Sequence, residues 1–332
     1  MKGTAIATPN IALIKYWGKR NEKLILPTGN NISFTLDEQL ATKSTVEFSE
    51  KYKQDELWIN GKNYSNPEQM KKSKPQLDFI REIAGINTKA KVVAESLVPV
   101  AGGLAGSASG LCAQALAAAK ALNLRVSKKQ LSIICRIGSG SACRSVYGGF
   151  VEWEKGESPD GSDSHAIQIA DENHWPEFRC IIAIVEKKEK KVKSRAGMKK
   201  TVETSVLYPK RIEYLPLAAN IVRNAILKKD LPTLLEATMR DSNNMHSVML
   251  DTWPPIIYLN DVSKQVINSI HDFNSEGIKA GYSFDAGPNP TIFTVEKHVN
   301  EIKNVLKEIE RIKDIIVSKS GKGPRIVEDH LI

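Results

Sequence analysis

The sequence predicts an α+β fold in two lobes, and three observations carry that prediction. The chain has 332 residues, 41% of them hydrophobic, enough apolar material for two domain-sized cores. Strand-like segments dominate the first third and helix-like segments the second half, in runs rather than in strict alternation. Between them, residues 187–200 are rich in lysine and lack periodicity, the break expected of a domain boundary or a substrate loop. The expected lobes are therefore residues 1–185 and 186–332.

Taken in order, residues 4–7, 32–36 and 42–48 read as strands. Residues 56–59 form a further strand that meets Asn60-Gly61, a strong hairpin signal because both turn residues take positive φ. A helix follows over 77–83 and a strand over 92–98. Two helices come next, 107–122 and 127–137, the second opened by Ser127-Lys128-Lys129-Gln130 in the form of a capping box. Strands at 148–154, 166–169 and 179–186 end the first half. The remainder offers helices over 217–227, 231–249, 262–273 and 299–312, with strands at 279–284, 291–295 and 314–318. There is no internal repeat.

Composition narrows the function classes. Fifteen Pro and 21 Gly are ordinary usage, which excludes collagen-like, linker-like and mostly disordered chains. With 47 Lys plus Arg against 38 Asp plus Glu, the formal charge is +9. A polyanionic partner is expected, and charge alone does not choose among nucleic acid, anionic membrane and phosphorylated metabolites. Aromatics make only 6% of the chain and the basic residues are spread beside Glu, which argues against a nucleic-acid platform. Cys112, Cys135, Cys143 and Cys180 have neither zinc-ligand nor disulfide-scaffold spacing, so buried thiols in a reducing cytoplasm are expected. Pro9, Asn10 and Lys15 interrupt the N-terminal stretch where a secretory signal needs an apolar run. No segment approaches the roughly 20 apolar residues of a spanning helix. A soluble, cytoplasmic protein with no membrane and no nucleic-acid partner is the expectation.

Four stretches carry chemistry. Residues 100–110 follow a strand and open an alanine-rich helix. Gly102, Gly103, Leu104, Ala105, Gly106, Ser107, Ala108 and Ser109 are mostly small, so a backbone can approach a bulky anion where a helix N-terminus offers unpaired amides and a positive dipole. The stretch lacks the Gly-Lys-Ser/Thr of a Walker A loop and the spacing of the dinucleotide fingerprint. Small residues equally let a helix pack closely on its neighbour, and both readings stand. Residues 138–145 place the Ser139 and Ser141 hydroxyls and the Arg144 guanidinium in one turn-rich segment, directional donors for phosphate or carboxylate. The alternative is a helix cap at Gly138 with a solvated Arg, and the phosphate-type loop nearby favours the anion site.

Residues 7–20 embed Asn10, Tyr16 and Lys19 in apolar sequence. On composition alone, packing for Tyr16 and Trp17 and a surface charge for Lys19 is the simpler reading. In residues 283–290, Asp285 follows an aromatic at the end of an apolar strand, where a carboxylate is held partly desolvated as a base or orienting group. A plain Gly-Pro turn accounts for the stretch equally well. Residues 241–246, with His246, lack metalloprotease spacing and read as scaffold bordering the site.

Together, ATPNIALIKYWGKR, GSGSACRSVYGGFVEW, SRAGMKKTVETS, LDTWPPIIYLN and FDAGPNP closely resemble the diphosphomevalonate (mevalonate diphosphate) decarboxylase family. That family lies in the superfamily of galactokinase, homoserine kinase, mevalonate kinase and phosphomevalonate kinase. The resemblance covers nearly the whole chain, whereas the glycine loop alone indicates only the superfamily. It implies a two-lobed small-molecule-kinase fold, with an N-terminal lobe like domain 2 of ribosomal protein S5 and a C-terminal ferredoxin-like α/β sandwich. It also implies a cytoplasmic homodimer that uses ATP with Mg²⁺ to phosphorylate the 3-hydroxyl of mevalonate 5-diphosphate and then expel phosphate and carbon dioxide.

By the same resemblance, Asp285 positions or deprotonates the hydroxyl, Lys19 stabilises charge, and Arg144 meets the carboxylate and phosphate side of the substrate. Tyr16, Ser139, Ser141, Ser194 and Arg195 match diphosphate contacts, and Asn10 lies near the reacting groups. Residues 102–109 hold the ATP phosphates, with Ser107 near the metal. Gly106 stands where superfamily loops commonly carry the first Ser of Gly-Leu-x-Ser-Ser, and Thr28-Gly29-Asn30-Asn31 departs from the usual Asn-Ser-Ser. The nearest rivals are a decarboxylase of mevalonate 5-phosphate and a mevalonate 3-kinase without decarboxylation.

Overall fold

Strand pairing organises the chain into three larger sheets. The computed structural model describes residues 1–97, 106–185 and 192–332, and every structural statement here concerns those residues. The first sheet runs in the order Arg325–Val327, Lys2–Ala7, Thr42–Phe48, Ala90–Ser96, Glu56–Ile59 and Lys62–Asn63. Neighbours are antiparallel except Glu56–Ile59, which lies parallel to Ala90–Ser96. Asn60 and Gly61 turn the last hairpin with φ of 48° and 76°, as that dipeptide predicts.

The helices Ser73–Ala84, Gly106–Ala121 and Lys128–Gly138 pack with this sheet around a core that includes Val46, Phe48, Leu77, Ile80, Leu111 and Ile134. Ser127 and Gln130 cap the third of them reciprocally. Gly106–Ala121 lies so close to the sheet that a Cβ on Gly3 would stand 2.4 Å from the Ala117 carbonyl oxygen. Close packing therefore explains the alanines of this helix, and any phosphate chemistry is confined to its first turn.

The second sheet has the order Ala166–Ala170, Phe150–Trp153, Asn31–Thr35, Asn10–Ile14, and the third Gly281–Phe284, Pro290–Val295, Phe178–Val185, Ile312–Ser318, both antiparallel. They share one core, in which Phe34, Phe150, Phe178 and Phe293 meet Leu215 and Val222 of helix Tyr208–Lys228 and Leu234 and Leu235 of helix Leu231–Leu250. Along Phe178–Val185, Cys180, Ile182 and Ile184 face this core. Ile181, Ala183 and Val185 face a separate core under helices Asp261–Phe273 and Val299–Lys307. A strand covered on both faces needs a continuous apolar run, which is what residues 180–185 supply. This strand precedes the expected division at residue 185 yet pairs only with strands that follow it, while Arg325–Val327 returns to the first sheet.

Two expectations are corrected. Ser194–Thr204, which overlaps the end of the stretch read as aperiodic, is a helix that buries Gly197, Met198 and Thr201. Its buried stripe is narrow and partly polar, so hydropathy does not reveal its period. The helix expected from residue 217 begins at Tyr208, with Pro209 in the first turn where its missing N–H costs nothing. No helix among the described residues is long and apolar enough to cross a membrane.

Candidate active site

The strand Asn10–Ile14 ends at the junction of the second sheet with the helix pair Tyr208–Lys228 and Leu231–Leu250, and the residues after it line a cavity of about 200 Å³. Its walls hold Asn10, Lys15, Tyr16 and Lys19, then Ser139, Ser141 and Arg144 from the short 3₁₀ segment and its cap. Ser107 comes from the first turn of Gly106–Ala121, Ser194 and Arg195 from the start of Ser194–Thr204, and Asp285 from the turn after Gly281–Phe284. Lys15 and Lys72 line it too. Five cationic side chains thus surround a single lining carboxylate, an arrangement suited to polyanions.

Arg144 is 3% exposed, and its hydrogen bonds go to neutral groups: Nε donates to Asn10 Oδ1 at 3.2 Å and Nη1 to Asn31 Oδ1. Among the described residues no carboxylate lies within ion-pair distance of it. Burial pulls its acidity range down from the ordinary arginine value, with Cys143, Asp285 and Tyr16 opposing. A buried guanidinium held only by amide oxygens keeps its charge uncompensated and suits an anionic ligand. Tyr16 adds a second mark of a ligand site, because its hydroxyl is buried without a hydrogen-bond partner. Burial holds that phenol well above its ordinary range, so it is a donor and not a base. Arg195 Nη2 donates to Gly138 O at 2.7 Å, which ties the helix Ser194–Thr204 to the serine turn. The Cys143 thiol beside Arg144 is pushed up to about 12 by burial and is no nucleophile.

Several expected residues are placed differently from their expected roles. Lys19 lines the cavity, but its ammonium pairs with Glu22. The lysine on Asp285 is Lys15, whose Nζ meets Oδ1 at 2.6 Å; Lys15 is 2% exposed and the Asp285 side chain 47%. Sequence reasoning missed Lys15, although a cation inside the apolar run IALIKYW must find a partner. Asn10 spends its amide on Ser141 O and Ser145 Oγ and its oxygen on Arg144, so it orients the site. Ser109 does not line the cavity: it is fully buried, and its hydroxyl meets Thr42 Oγ1 at 2.8 Å; Ala108 is likewise buried. Gly102, Gly103, Leu104 and Ala105 lie outside the described residues.

No group of three His, Cys, Asp or Glu side chains among the described residues is placed to hold a metal alone. The Ser107 hydroxyl and Asp285 carboxylate are hard oxygen donors that suit Mg²⁺ carried in with phosphate oxygens and water.

Two family models account for most of the chain. One, the diphosphomevalonate decarboxylase-like N-terminal domain, matches residues 7–166. The other, the mevalonate 5-diphosphate decarboxylase C-terminal domain, matches residues 180–310. A diphosphomevalonate decarboxylase of Candida albicans is 42% identical over 92% of this chain and 88% of its own length. The chain belongs to the diphosphomevalonate decarboxylase family. The human relative of that name is 40% identical over 98% of this chain and 94% of its own length. Among solved structures, mevalonate diphosphate decarboxylase from Staphylococcus aureus superposes with a TM-score of 0.93 at 38% identity, covering 98% of each chain. A structure described as MDDEF in complex with MVAPP, AMPPCP and magnesium gives 0.92 at 38% identity over 99% of each chain. The two-lobed fold expected from the motifs is thus that of the family's solved members.

Proposed function

We infer that this protein converts mevalonate 5-diphosphate and ATP to isopentenyl diphosphate, ADP, phosphate and carbon dioxide, a step of isoprenoid synthesis. The observation that carries the reading is the Asp285–Lys15 pair set among four further cations in a cavity built from both halves of the chain. A relative's complex holding MVAPP, AMPPCP and magnesium together supports the same pairing of ligands here.

Asp285 takes or directs the proton of the 3-hydroxyl as its oxygen attacks the γ-phosphorus of ATP and ADP departs. Hydroxide leaves poorly from the tertiary carbon; phosphate leaves well. When the C–O bond breaks, the carboxylate's C–C electrons form the new double bond and carbon dioxide is released. Lys15, on Asp285, takes the charge-stabilising role expected of Lys19, which is left to neutralise phosphate nearby. Arg144 holds the substrate's carboxylate and phosphate side, and Tyr16, Ser139, Ser141, Ser194 and Arg195 hold the diphosphate. The residues of 102–107 take the ATP phosphates at the helix N-terminus, and bound Mg²⁺ would neutralise phosphate charge beside Ser107 and Asp285.

The protein is proposed as a cytoplasmic homodimer of two-lobed subunits, the ATP lobe at the N-terminal side; light scattering reads the oligomer. All four cysteines are buried free thiols, which suits a reducing compartment. The function is tested by incubating protein, Mg²⁺ and ATP with mevalonate, its 5-phosphate or its 5-diphosphate and following ADP and carbon dioxide separately. Equal release of both, with the diphosphate preferred, is expected. Comparable turnover of the monophosphate, or ADP without carbon dioxide, overturns it.

A further inference from the structure

Residues 241–246 and the start of helix Tyr208–Lys228 have no part in the chemistry above, yet they hold both partners of the Lys15–Asp285 pair. Arg211 and Asp241 form an ion pair at 3.0 Å, with both side chains fully buried. Arg211 Nη1 also donates to Asn244 Oδ1 at 2.6 Å, and the pair's other two hydrogen bonds converge on one residue. The Lys15 N–H donates to Asp241 Oδ2 at 2.6 Å, and Arg211 Nη2 donates to the Lys15 carbonyl oxygen at 3.0 Å. One residue along the same helix, Ser242 Oγ accepts from the N–H of Phe284 at 3.0 Å, immediately before Asp285.

A buried ion pair is a poor way to stabilise a fold, since desolvating two charges offsets most of their attraction and well-packed apolar residues do as well or better. This one also leaves Arg211 Nε buried without a partner. What the pair supplies that apolar packing could not is a donor and an acceptor for both main-chain groups of Lys15. Lys15 stands just past the end of the strand Asn10–Ile14, where ladder hydrogen bonds no longer fix it.

We propose that the Arg211–Asp241 pair, with Ser242 beside it, is a positioning unit for the reaction: it fixes the backbones of Lys15 and Phe284 so that ammonium and carboxylate meet in the productive geometry. This rests on the reading of Lys15 and Asp285 as the reacting pair. Arg211, Asp241 and Ser242 do not line the cavity and act through the residues they hold.

The test uses the full-length enzyme and four variants, D241N, R211K, K15A and the double variant D241N/K15A. D241N keeps the shape but not the charge. R211K keeps the charge but not the fork that reaches Asp241 and the Lys15 carbonyl together. For folded D241N and R211K we expect kcat to fall about 100-fold, as a misplacement near 1 Å does, with KM for both substrates within about threefold. In the K15A background the D241N change should cost less than about threefold, because the group it positions is gone. Wild-type kcat in either folded variant, or the same fold-loss with and without Lys15, overturns the proposal. If D241N does not fold, R211K alone decides by the same kcat and KM criterion. Full activity of K15A instead sinks the assignment of the reacting pair, a different failure that the single variant identifies by itself.

Discussion

Asp285 is half exposed and opens the turn after an apolar strand, with its carboxylate tied to a buried ammonium. Asp285→Asn keeps an acceptor for Lys15 and should fold with a melting temperature within a few degrees of wild type. Phosphoryl transfer should drop by about 10²–10⁴-fold, the range for losing a positioned acid–base group; ADP release with mevalonate 5-diphosphate measures it, and retained turnover removes Asp285 from its role. His246 makes a separate prediction about stability. It is 9% exposed, and burial, helped by Lys15 and Arg211 against the Phe284 carbonyl and Asp285, holds its pKa down at about 4. The folded value lies below the unfolded one, so the unfolded chain binds the extra proton between them. The contribution is present above about pH 6.5 and is lost as pH falls toward 4, about 3 kcal/mol in all. His246→Gln should flatten that acid limb in denaturant titrations at several pH values; an unchanged limb assigns it to other groups.

At the scale of elements, local rules were legible wherever one short signal fixes the geometry. The Asn60-Gly61 turn and the Ser127–Gln130 cap are both read from a few letters, because positive φ and reciprocal capping leave few alternatives. The site was legible as a set of segments, and ten of its expected side chains line one cavity, but not as a set of contacts. In KYWGK two lysines stand four residues apart, and which one reaches Asp285 depends on where the strand Asn10–Ile14 stops and on the turn at Gly18, whose φ is 118°. The apolar run around Lys15 says that its ammonium needs a partner, but not that the partner is Asp285. The direction of the Ser109 side chain was illegible for a similar reason, since the first turn of a helix faces two ways and only packing on Thr42 decides. The serine turn itself yields a prediction. A Cβ on Gly140 would stand 2.8 Å from the rings of both Trp153 and Tyr16. Gly140→Ala should therefore displace the Tyr16 ring, cost about 1–3 kcal/mol as overpacking does, and lower kcat/KM for the diphosphate substrate at least tenfold. Thermal unfolding and steady-state rates read the two effects, and unaltered kinetics would mean that the turn yields without moving Tyr16.

For the whole molecule, the formal charge of +9 proved informative only through its placement. Five of the cations line one cavity; a single count of charge contains no such information. The division of the chain was also only half legible, because strand pairing crosses it in both directions. Phe178–Val185 joins the third sheet, and the last residues return to the first one. There, Arg325–Val327 pairs with Lys2–Ala7, the Leu331 N–H donates to Thr45 Oγ1 at 2.9 Å, and Lys2 Nζ donates to the Ile332 carbonyl at 2.7 Å. This return covers the edge of Lys2–Ala7 in the first sheet, and it should couple the unfolding of the two halves of the chain. Deleting residues 324–332 should expose that edge, lower the melting temperature by several degrees, and broaden or split the unfolding transition in calorimetry. Catalysis should survive below that transition, since none of the deleted residues lines the cavity. A truncated protein that melts as the full chain does would show that the returning strand contributes nothing to holding the lobes in one cooperative unit.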